Sequence, residues 1–393
     1  MTVRTVGAIL CCLASLVAVP SLAATKQEFA RPPFAGAYEP AGVDERGLWM
    51  EMDEDERRSR DSPGVIKDPA LNAYLRSVLC KTVGFDRCEA ARIYVVKDRT
   101  FNASMAPNGL MVVHVGLLAR LHSEAELAAI LGHEFAHFEL RHTLKRFRRW
   151  RTGTDISSWL GLAGAAMSQS TSVVQGSLIE SIYSFSREEE TEADLLGAAY
   201  IGGSPYRLSA AGVWQRLLDE ENATRVERGA RKIKRARPGP LDTHPTNLQR
   251  ISYFTKLETE AAGAGDDAMG DYRAATSSFL PDLFDNLIKG NEFAAADYVI
   301  RARGDVMGWD GPMLALRGEL YRVRANPRDL VTARQFFEKA TTYPDAPPES
   351  WRGLGLSALR LGEPDVGRTA LSEYLKRRPD ARDAATIKLM LEN

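Results

Sequence analysis

Residues 131–137 read Leu-Gly-His-Glu-Phe-Ala-His and are the most informative stretch of the chain. On a helix, His133 and His137 are four residues apart and therefore lie on one face. Both imidazoles can then reach one metal ion, and Glu134 beside them can reach a water molecule on that ion. The stretch is typical of the metal-binding helix of a zinc peptidase.

A catalytic zinc site needs a third protein ligand and an open position for water. His142 is the nearest further histidine, but it stands five residues after His137, which on a continuous helix places it about 140° around the axis. The metzincin pattern is excluded because Leu140 occupies the place of its glycine. The third ligand is therefore expected from a later segment.

An acidic segment at 186–194, Ser-Arg-Glu-Glu-Glu-Thr-Glu-Ala-Asp, offers that ligand. Its start is a predicted capping box. Glu190 and Asp194 share a helix face, so Glu190 could bind zinc while Asp194 accepts the outer N–H of a ligand histidine. Glu189 and Glu192 remain alternative ligands, because helix phase alone does not choose among so many acids. Without the two histidines, the segment would be an acidic helix start that favours the helix dipole.

A third polar cluster follows at 242–250, with His244 before a proline and then Arg250. Either side chain could stabilise the oxyanion of a tetrahedral intermediate, so both are candidate catalytic residues. His244 could instead occupy the fourth position on the zinc and hold the enzyme inactive.

The surrounding pattern predicts an α+β domain. Asp68-Pro69 opens a helix through Leu79, and short strands are predicted at 93–96 and 110–115, the second after an Asn108-Gly109 turn. A capping box at Ser123 is predicted to start the metal-binding helix. The strand ending near Val115 is predicted to be an edge that pairs with extended substrate.

The chain of 393 residues has room for two domains, and its net charge of -1 gives no indication of a nucleic-acid partner. Residues 1–23 are predicted to be a signal peptide, with an apolar run at 6–19 and small residues at Ser21 and Ala23 for cleavage after Ala23. The alternative is an uncleaved anchor. Cleavage predicts a periplasmic protein.

Cysteine usage agrees with export. Only Cys80 and Cys88 follow the predicted signal peptide, and they are close in sequence. In an oxidising compartment we expect them to form a disulfide, while two unrelated buried thiols are the alternative.

Composition divides the rest of the chain. Residues 24–67 are predicted to be an N-terminal arm with a charged helix at 45–58. Residues 68–260 are predicted to be the metallopeptidase domain, 261–273 a linker and 274–393 helical repeats.

Two segments have an open role. The segment 152–180 could be a lid or simply a loop and a helix. The basic run 225–237 is predicted to be a solvated face, with anionic lipid as the alternative partner.

The repeat prediction rests on small and bulky residues at a regular interval. Ala296, Ala333 and Ala370 are evenly spaced. A bulky residue follows four positions after each of them, namely Ile300, Phe337 and Tyr374. Gly318 and Gly355 keep the same interval, which is a few residues longer than the roughly 34 of a tetratricopeptide (TPR) repeat. Closely crossing antiparallel helices need this pattern. The alternative is an irregular helical bundle.

The clusters at 131–137, 186–194 and 244–250, in this order, resemble the HtpX / CAAX-prenyl-protease family of zinc metallopeptidases. The resemblance spans residues 68 to 257 and implies that Glu190 is the third ligand. Segments 101–103 and 107–109 look like those before the family's active-site edge strand. Three residues are therefore predicted to contact substrate, namely Asn102, Gly109 and Val113.

The chain lacks the hydrophobic spans of the family's integral-membrane members. Its predicted signal peptide and TPR-like tail are similar to those of the periplasmic branch of the family, which serves outer-membrane protein quality control. The fold expected from this resemblance is a zincin-type α+β domain followed by an all-α TPR-like domain.

Together these features predict an exported endopeptidase with one Zn²⁺ that cleaves misfolded or stalled envelope proteins, with Glu134 as general base. Its partners would be unfolded proteins and, through the TPR-like domain, the outer-membrane assembly machinery. The alternative is a TPR-based adaptor or chaperone whose peptidase site is largely latent.

Overall fold

The structure is a computed structural model that describes residues 40–153, 185–233 and 247–392. The predicted signal peptide at 1–23 and the first part of the predicted arm lie outside the described residues. So do His244, the end of the basic run, and all but the first two residues of the segment 152–180.

A small mixed sheet has the strand order β1-β2-β4-β3. Strands β2 and β4 are parallel, whereas β1 and β3 pair antiparallel with them at the two edges. The strands predicted at 93–96 and 110–115 are confirmed. The strands are β1 Val65–Ile66, β2 Arg92–Val96, β3 Ala103–Met105 and β4 Leu110–His114.

The prediction that the strand ending near Val115 is the sheet edge is wrong. Strand β4 lies inside the sheet, paired with β2 on one side and β3 on the other. The edge strand is β3, which the turn at Asn108-Gly109 folds back onto β4. Gly109 has φ +90, and a Cβ there would lie 2.0 Å from the carbonyl oxygen of Ala90. The turn therefore requires glycine.

Two helices bring the predicted ligands into the fold. Helix α5, Glu124–Glu139, starts at Ser123, whose Oγ accepts from the backbone N–H of Glu126 at 3.2 Å. The carboxylate of Glu126 accepts from the backbone of His122 instead of Ser123, so only half of the predicted capping box forms. Helix α7, Arg187–Gly202, has the complete capping box predicted at Ser186.

The other helices surround these two and continue to the C-terminal end. Among the described residues, none of the helices has the length and apolar character needed to span a bilayer. Their bounds are α1 Gly42–Arg60, α2 Pro69–Val83, α3 Phe85–Cys88, α4 Val115–Arg120, α6 His142–Gly153, α8 Ala211–Glu227, α9 Asn247–Glu260, α10 Met269–Ser277, α11 Leu280–Lys289, α12 Phe293–Met307, α13 Gly311–Arg324, α14 Asp329–Thr341, α15 Glu349–Arg360, α16 Pro364–Arg377 and α17 Ala384–Glu392.

Helix α1 is the charged helix predicted for the N-terminal arm. Leu48 and Met52 on it are buried together with Leu110 of the sheet and Leu144 of α6. The Glu56 carboxylate on the same helix accepts two hydrogen bonds from Arg92 and one from the Tyr94 hydroxyl. The described part of the arm therefore packs on the sheet.

Helix α2 begins where the sequence predicts it. The Asp68 carboxylate accepts from the backbone N–H groups of Ala70 and Leu71, and Pro69 is the first helical residue. At the other end of α2, the predicted disulfide between Cys80 and Cys88 is confirmed and joins α2 to the short helix α3.

The metal-binding part and the first tail helices share one hydrophobic core, which extends from Ile66 to Leu320. The Tyr272 hydroxyl on α10 donates to the carbonyl of Leu118 at 2.6 Å. Helix α10 begins at Met269, inside the predicted linker. The division into domains stays a prediction. The described residues on both sides of the predicted linker at 261–273 pack in the same core.

The C-terminal region is mostly helical, and its successive helices α13 to α16 pack on one another. The periodic alanines at 296, 333 and 370 are buried, as are the bulky residues four positions later. A Cβ on Gly318 would lie 3.0 Å from the ring of Phe337, so the close crossing of α13 and α14 depends on this small residue. The assignment of these helices to TPR repeats stays a prediction.

Candidate metal centre

The three predicted ligands meet at the crossing of α5 and α7. The Nε2 atoms of His133 and His137 are 3.1 Å apart. The Glu190 carboxylate lies across from them, with one oxygen 3.7 Å from Nε2 of His133 and the other 3.9 Å from Nε2 of His137. His137 and Glu190 are almost completely buried, whereas 11% of the His133 side chain is exposed. The site therefore opens on the side of His133.

These atoms fit the needs of a zinc ion. Zinc binds imidazole nitrogen and carboxylate oxygen at roughly 2.0–2.2 Å, so the ligand atoms of a tetrahedral site lie about 3.4 Å from one another. The observed separations of 3.1, 3.7 and 3.9 Å scatter around that value. Among the residues that the structure describes, this is the group of His, Cys, Asp or Glu side chains close enough to hold a metal.

The alternative ligands lie elsewhere on α7. Glu189 closes the capping box by accepting from the backbone N–H of Ser186, and it also pairs with Arg149. Glu192 is half-exposed and bonds to His142. The geometry favours Glu190, although the role of each ligand stays a prediction.

Asp194 lies one turn after Glu190 and touches the outer nitrogen of a ligand histidine. Its Oδ1 is 2.8 Å from Nδ1 of His133, which is the contact that the sequence predicts for this carboxylate. Burial would raise the pKa of Asp194, but the neighbouring His133 and Arg250 lower it below its usual value. Burial would lower the pKa of His133, and Asp194 raises it above its usual value instead. Without a metal ion, Asp194 and His133 therefore favour each other's charged form. As a metal ligand His133 is neutral, with its metal on Nε2 and its N–H on Nδ1 facing Asp194.

Arg250 on α9 contacts carboxylates in the buried side of this site. One guanidinium nitrogen donates to Asp194 at 2.7 Å, and another is 3.7 Å from Glu190. The guanidinium also stacks on Trp214, 3.9 Å from the ring centre. These contacts support a role in holding the carboxylates. The predicted contact of Arg250 with an oxyanion stays untested, and His244, its predicted companion, lies outside the described residues.

His142 reaches the site by a route that the sequence analysis missed. Helix α5 ends at Glu139, Arg141 adopts φ +55, and α6 begins at His142. This turn brings Nδ1 of His142 to 2.9 Å from Nδ1 of His137. The projection of about 140° assumed one continuous helix and therefore does not apply. His142 is not one of the three side chains grouped as candidate ligands.

Phe185, directly before α7, stacks on the other ligand histidine. Its ring centre is 3.9 Å from that of His137, and the two planes differ by 17°. No sequence signal marked Phe185, because it stands outside the acidic segment and lies outside any periodic pattern.

Two of the three predicted substrate contacts are corrected by the structure. Val113 is completely buried, and its strand is paired on both sides, so it belongs to the core. Gly109 is buried in the tight turn against Ala90. Asn102 is exposed just before the true edge strand β3, and its carbonyl accepts from the backbone N–H of His114 at 3.1 Å. Its contact with substrate stays a prediction.

The fold and the candidate site can be compared with known families. Residues 66–258 match the model of Peptidase family M48. The resemblance drawn from the three motifs is thereby confirmed at the level of the peptidase family.

Two bacterial relatives match the chain over stretches longer than the family match at 66–258. The chain is 28% identical over 208 residues to the putative beta-barrel assembly-enhancing protease of Vibrio cholerae, a match that covers 50% of this chain and 41% of the relative. It is 25% identical over 268 residues to the beta-barrel assembly-enhancing protease of Yersinia pestis, which covers 62% of this chain and 53% of the relative.

A eukaryotic relative matches over a shorter stretch. The mitochondrial metalloendopeptidase OMA1 of Schizosaccharomyces pombe is 32% identical over 171 residues, covering 43% of this chain and 47% of the relative. The chain therefore spans about half the length of the curated relatives it matches.

Proposed function

We propose that the protein is a zinc endopeptidase that acts on proteins of the bacterial envelope. The observation that carries this proposal is the convergence of His133, His137 and Glu190, with Glu134 on the same helix as the two histidines. Two imidazole nitrogens and one carboxylate oxygen are the protein ligands of catalytic zinc sites in peptidases.

The chemistry assigns a separate task to each residue of the site. A zinc ion held by His133, His137 and Glu190 would polarise a peptide carbonyl and make a water molecule more acidic. Glu134, partly exposed beside His133, takes the proton from the attacking water and returns it to the leaving amine. Asp194 keeps His133 in the orientation and tautomer that a metal ligand needs.

An extended substrate would bind along β3. Around this strand, the N–H of His114 bonds to the carbonyl of Asn102, and the N–H of Ala106 bonds to the carbonyl of Leu110. Because backbone groups alternate in direction along a strand, those of Ala103 and Met105 point away from β4. Strand addition at this edge would recognise backbone and tolerate many sequences. That mode of binding suits unfolded protein.

The compartment and the substrates are inferred from the predicted signal peptide, the disulfide, the relatives and the helical tail. The predicted signal peptide and the Cys80–Cys88 disulfide are consistent with the periplasm. The relatives named beta-barrel assembly-enhancing protease support misfolded or stalled outer-membrane proteins as substrates. The stacked helices at 311–377 would form TPR-like repeats that contact the assembly machinery. The adaptor alternative rests on the helical tail and on His244 as a fourth zinc ligand, and His244 lies outside the described residues.

The test is Glu134→Gln in the purified mature protein. We expect one zinc per chain in both proteins, and cleavage of an unfolded protein such as casein only in the wild type, with a loss of at least about 100-fold. Glu188→Gln, an exposed acid in the first turn of α7, is the matched control and should cleave normally. Absence of zinc from the wild type, or normal cleavage by Glu134→Gln, would refute the proposal.

A further inference from the structure

The two ligand histidines are supported by different kinds of groups. The outer nitrogen of His133 faces the carboxylate of Asp194 at 2.8 Å. The outer nitrogen of His137 faces the imidazole of His142 at 2.9 Å. His142 in turn has its Nε2 at 3.2 Å from the carboxylate of Glu192. A chain of three side chains thus leads from the metal centre to the half-exposed surface of α7.

The direction of each hydrogen bond follows from the geometry. The Nε2 atoms of His133 and His137 face each other and Glu190, so the metal side of His137 is Nε2 and its proton is on Nδ1. That N–H donates to Nδ1 of His142, which must accept. The remaining proton of a neutral His142 is then on Nε2, where it donates to the Glu192 carboxylate.

Packing leaves both rings little freedom to leave this arrangement. His142 is completely buried, and Phe185 lies flat against His137 on the face of its ring. The turn at Arg141, with φ +55, is a backbone conformation that residues other than glycine adopt only rarely. The chain thus adopts an uncommon turn at Arg141, and this turn places the His142 ring against His137 of α5.

We propose that His142 is a positioning residue of the metal centre, which holds His137 in the tautomer and orientation required for zinc and is itself oriented by Glu192. This inference rests on the proposed zinc site. It assigns His142 no contact with the metal or the substrate. Loss of an outer partner of this kind usually lowers metal affinity by about 10–100-fold.

Asparagine provides the decisive comparison at this position. Its side-chain oxygen occupies roughly the place of Nδ1 and can accept the N–H of His137, whereas leucine fills the space without an acceptor. His142→Leu should lower zinc affinity, measured by competition with a chelator, by about 10–100-fold, and His142→Asn by less than about threefold. His122→Leu is the control, because His122 is a buried histidine outside the candidate ligand group, with its backbone bonded to Glu126.

A spectroscopic signature separates positioning from a general loss of structure. We expect the visible spectrum of the cobalt-substituted protein to change for His142→Leu and to stay like that of the wild type for His142→Asn. The metal-free variants should melt within a few degrees of each other. Should His142→Leu fail to fold, Glu192→Ala should still lower zinc affinity a few-fold, with Glu188→Ala unchanged.

The outcomes distinguish this inference from the proposed function. If the wild type binds zinc and His142→Leu binds it equally well, or if asparagine is as harmful as leucine, the positioning role is refuted while the peptidase proposal stands. If the wild type binds no zinc, the proposed function itself fails.

Discussion

Gly197 of α7 lies directly against the backbone of His133 on α5. A Cβ added to Gly197 would be 3.2 Å from the backbone nitrogen of His133 and 3.3 Å from its Cα. These contacts are between main chains, so no flexible side chain can move aside. The small residue therefore sets the distance at which the helix of Glu190 approaches the helix of the two histidines.

Gly197→Ala should weaken zinc binding for this reason. The extra methyl group pushes α7 away from α5 by a few tenths of an ångström and costs about 1–3 kcal/mol of stability. Gly202→Ala is the matched control, since it lies on the same helix with no atom near its added Cβ. The interior position Gly197 also gains about 1 kcal/mol of helix propensity with alanine, and Gly202, the last residue of the helix, gains less. Equal zinc affinities of the two variants would show that the crossing is not this tight.

Arg250→Lys should distinguish a group that holds carboxylates from a group that stabilises an oxyanion. Lysine keeps the charge but loses the planar stack on Trp214 and the paired contacts with Asp194 and Glu190. We expect the unfolding free energy to fall by about 1–3 kcal/mol and zinc affinity to fall with it.

Turnover of Arg250→Lys, measured at saturating zinc, should then return to within a few-fold of the wild type. Arg228→Lys, at an exposed arginine paired with Glu292, is the control for the loss of a guanidinium. A large loss of turnover at full zinc occupancy would instead support the oxyanion role predicted from the sequence.

His122 should make the fold sensitive to acid. Burial, together with the charges of Arg216 and Arg303, lowers its pKa from 6.5 to about 3. The folded protein therefore keeps the ring neutral, while the unfolded chain binds a proton below about pH 6.5. This contribution to stability is complete above pH 6.5 and is lost as the pH falls towards 3.

The measurement is the unfolding free energy between pH 6 and 4, in urea. The wild type should lose about 1.4 kcal/mol more per pH unit than His122→Leu, which lacks the titrating ring. Parallel pH profiles for the two proteins would contradict this assignment. Replacing His142 would not serve this test, because His142 contacts a ligand histidine and its loss would also change the candidate metal centre.

Local sequence patterns predicted which side chains group at the candidate metal centre, because they obey helix geometry. The i, i+4 pairs at 133 and 137 and at 190 and 194 both lie on the faces expected of them. The choice between Glu189 and Glu190 was also present in the sequence. A capping box at Ser186 commits the Glu189 side chain to the backbone, which leaves Glu190 as the neighbouring acid available to a metal.

Features that depend on the path of the chain could not be predicted in this way. His142 reaches His137 only because Arg141 adopts a positive φ. An arginine at this position gives no sequence signal for that conformation. Strand β3 is three residues long and reads Ala-Ser-Met, so β4 was assigned to the edge in its place. Phe185 contacts His137 across elements that are distant in sequence.

Two carbonyls at the end of α4, those of Leu118 and Leu121, accept hydrogen bonds from the tail. Tyr272 donates to Leu118, and the buried guanidinium of Arg303 donates to Leu121 at 3.1 Å, two residues before the cap of α5. A shortened version that stops at residue 260 would lose both donors and would expose to water the apolar surface that the tail covers. A shortened version that preserves the core around the candidate metal centre must therefore extend past Leu320 to the end of α13 at Arg324.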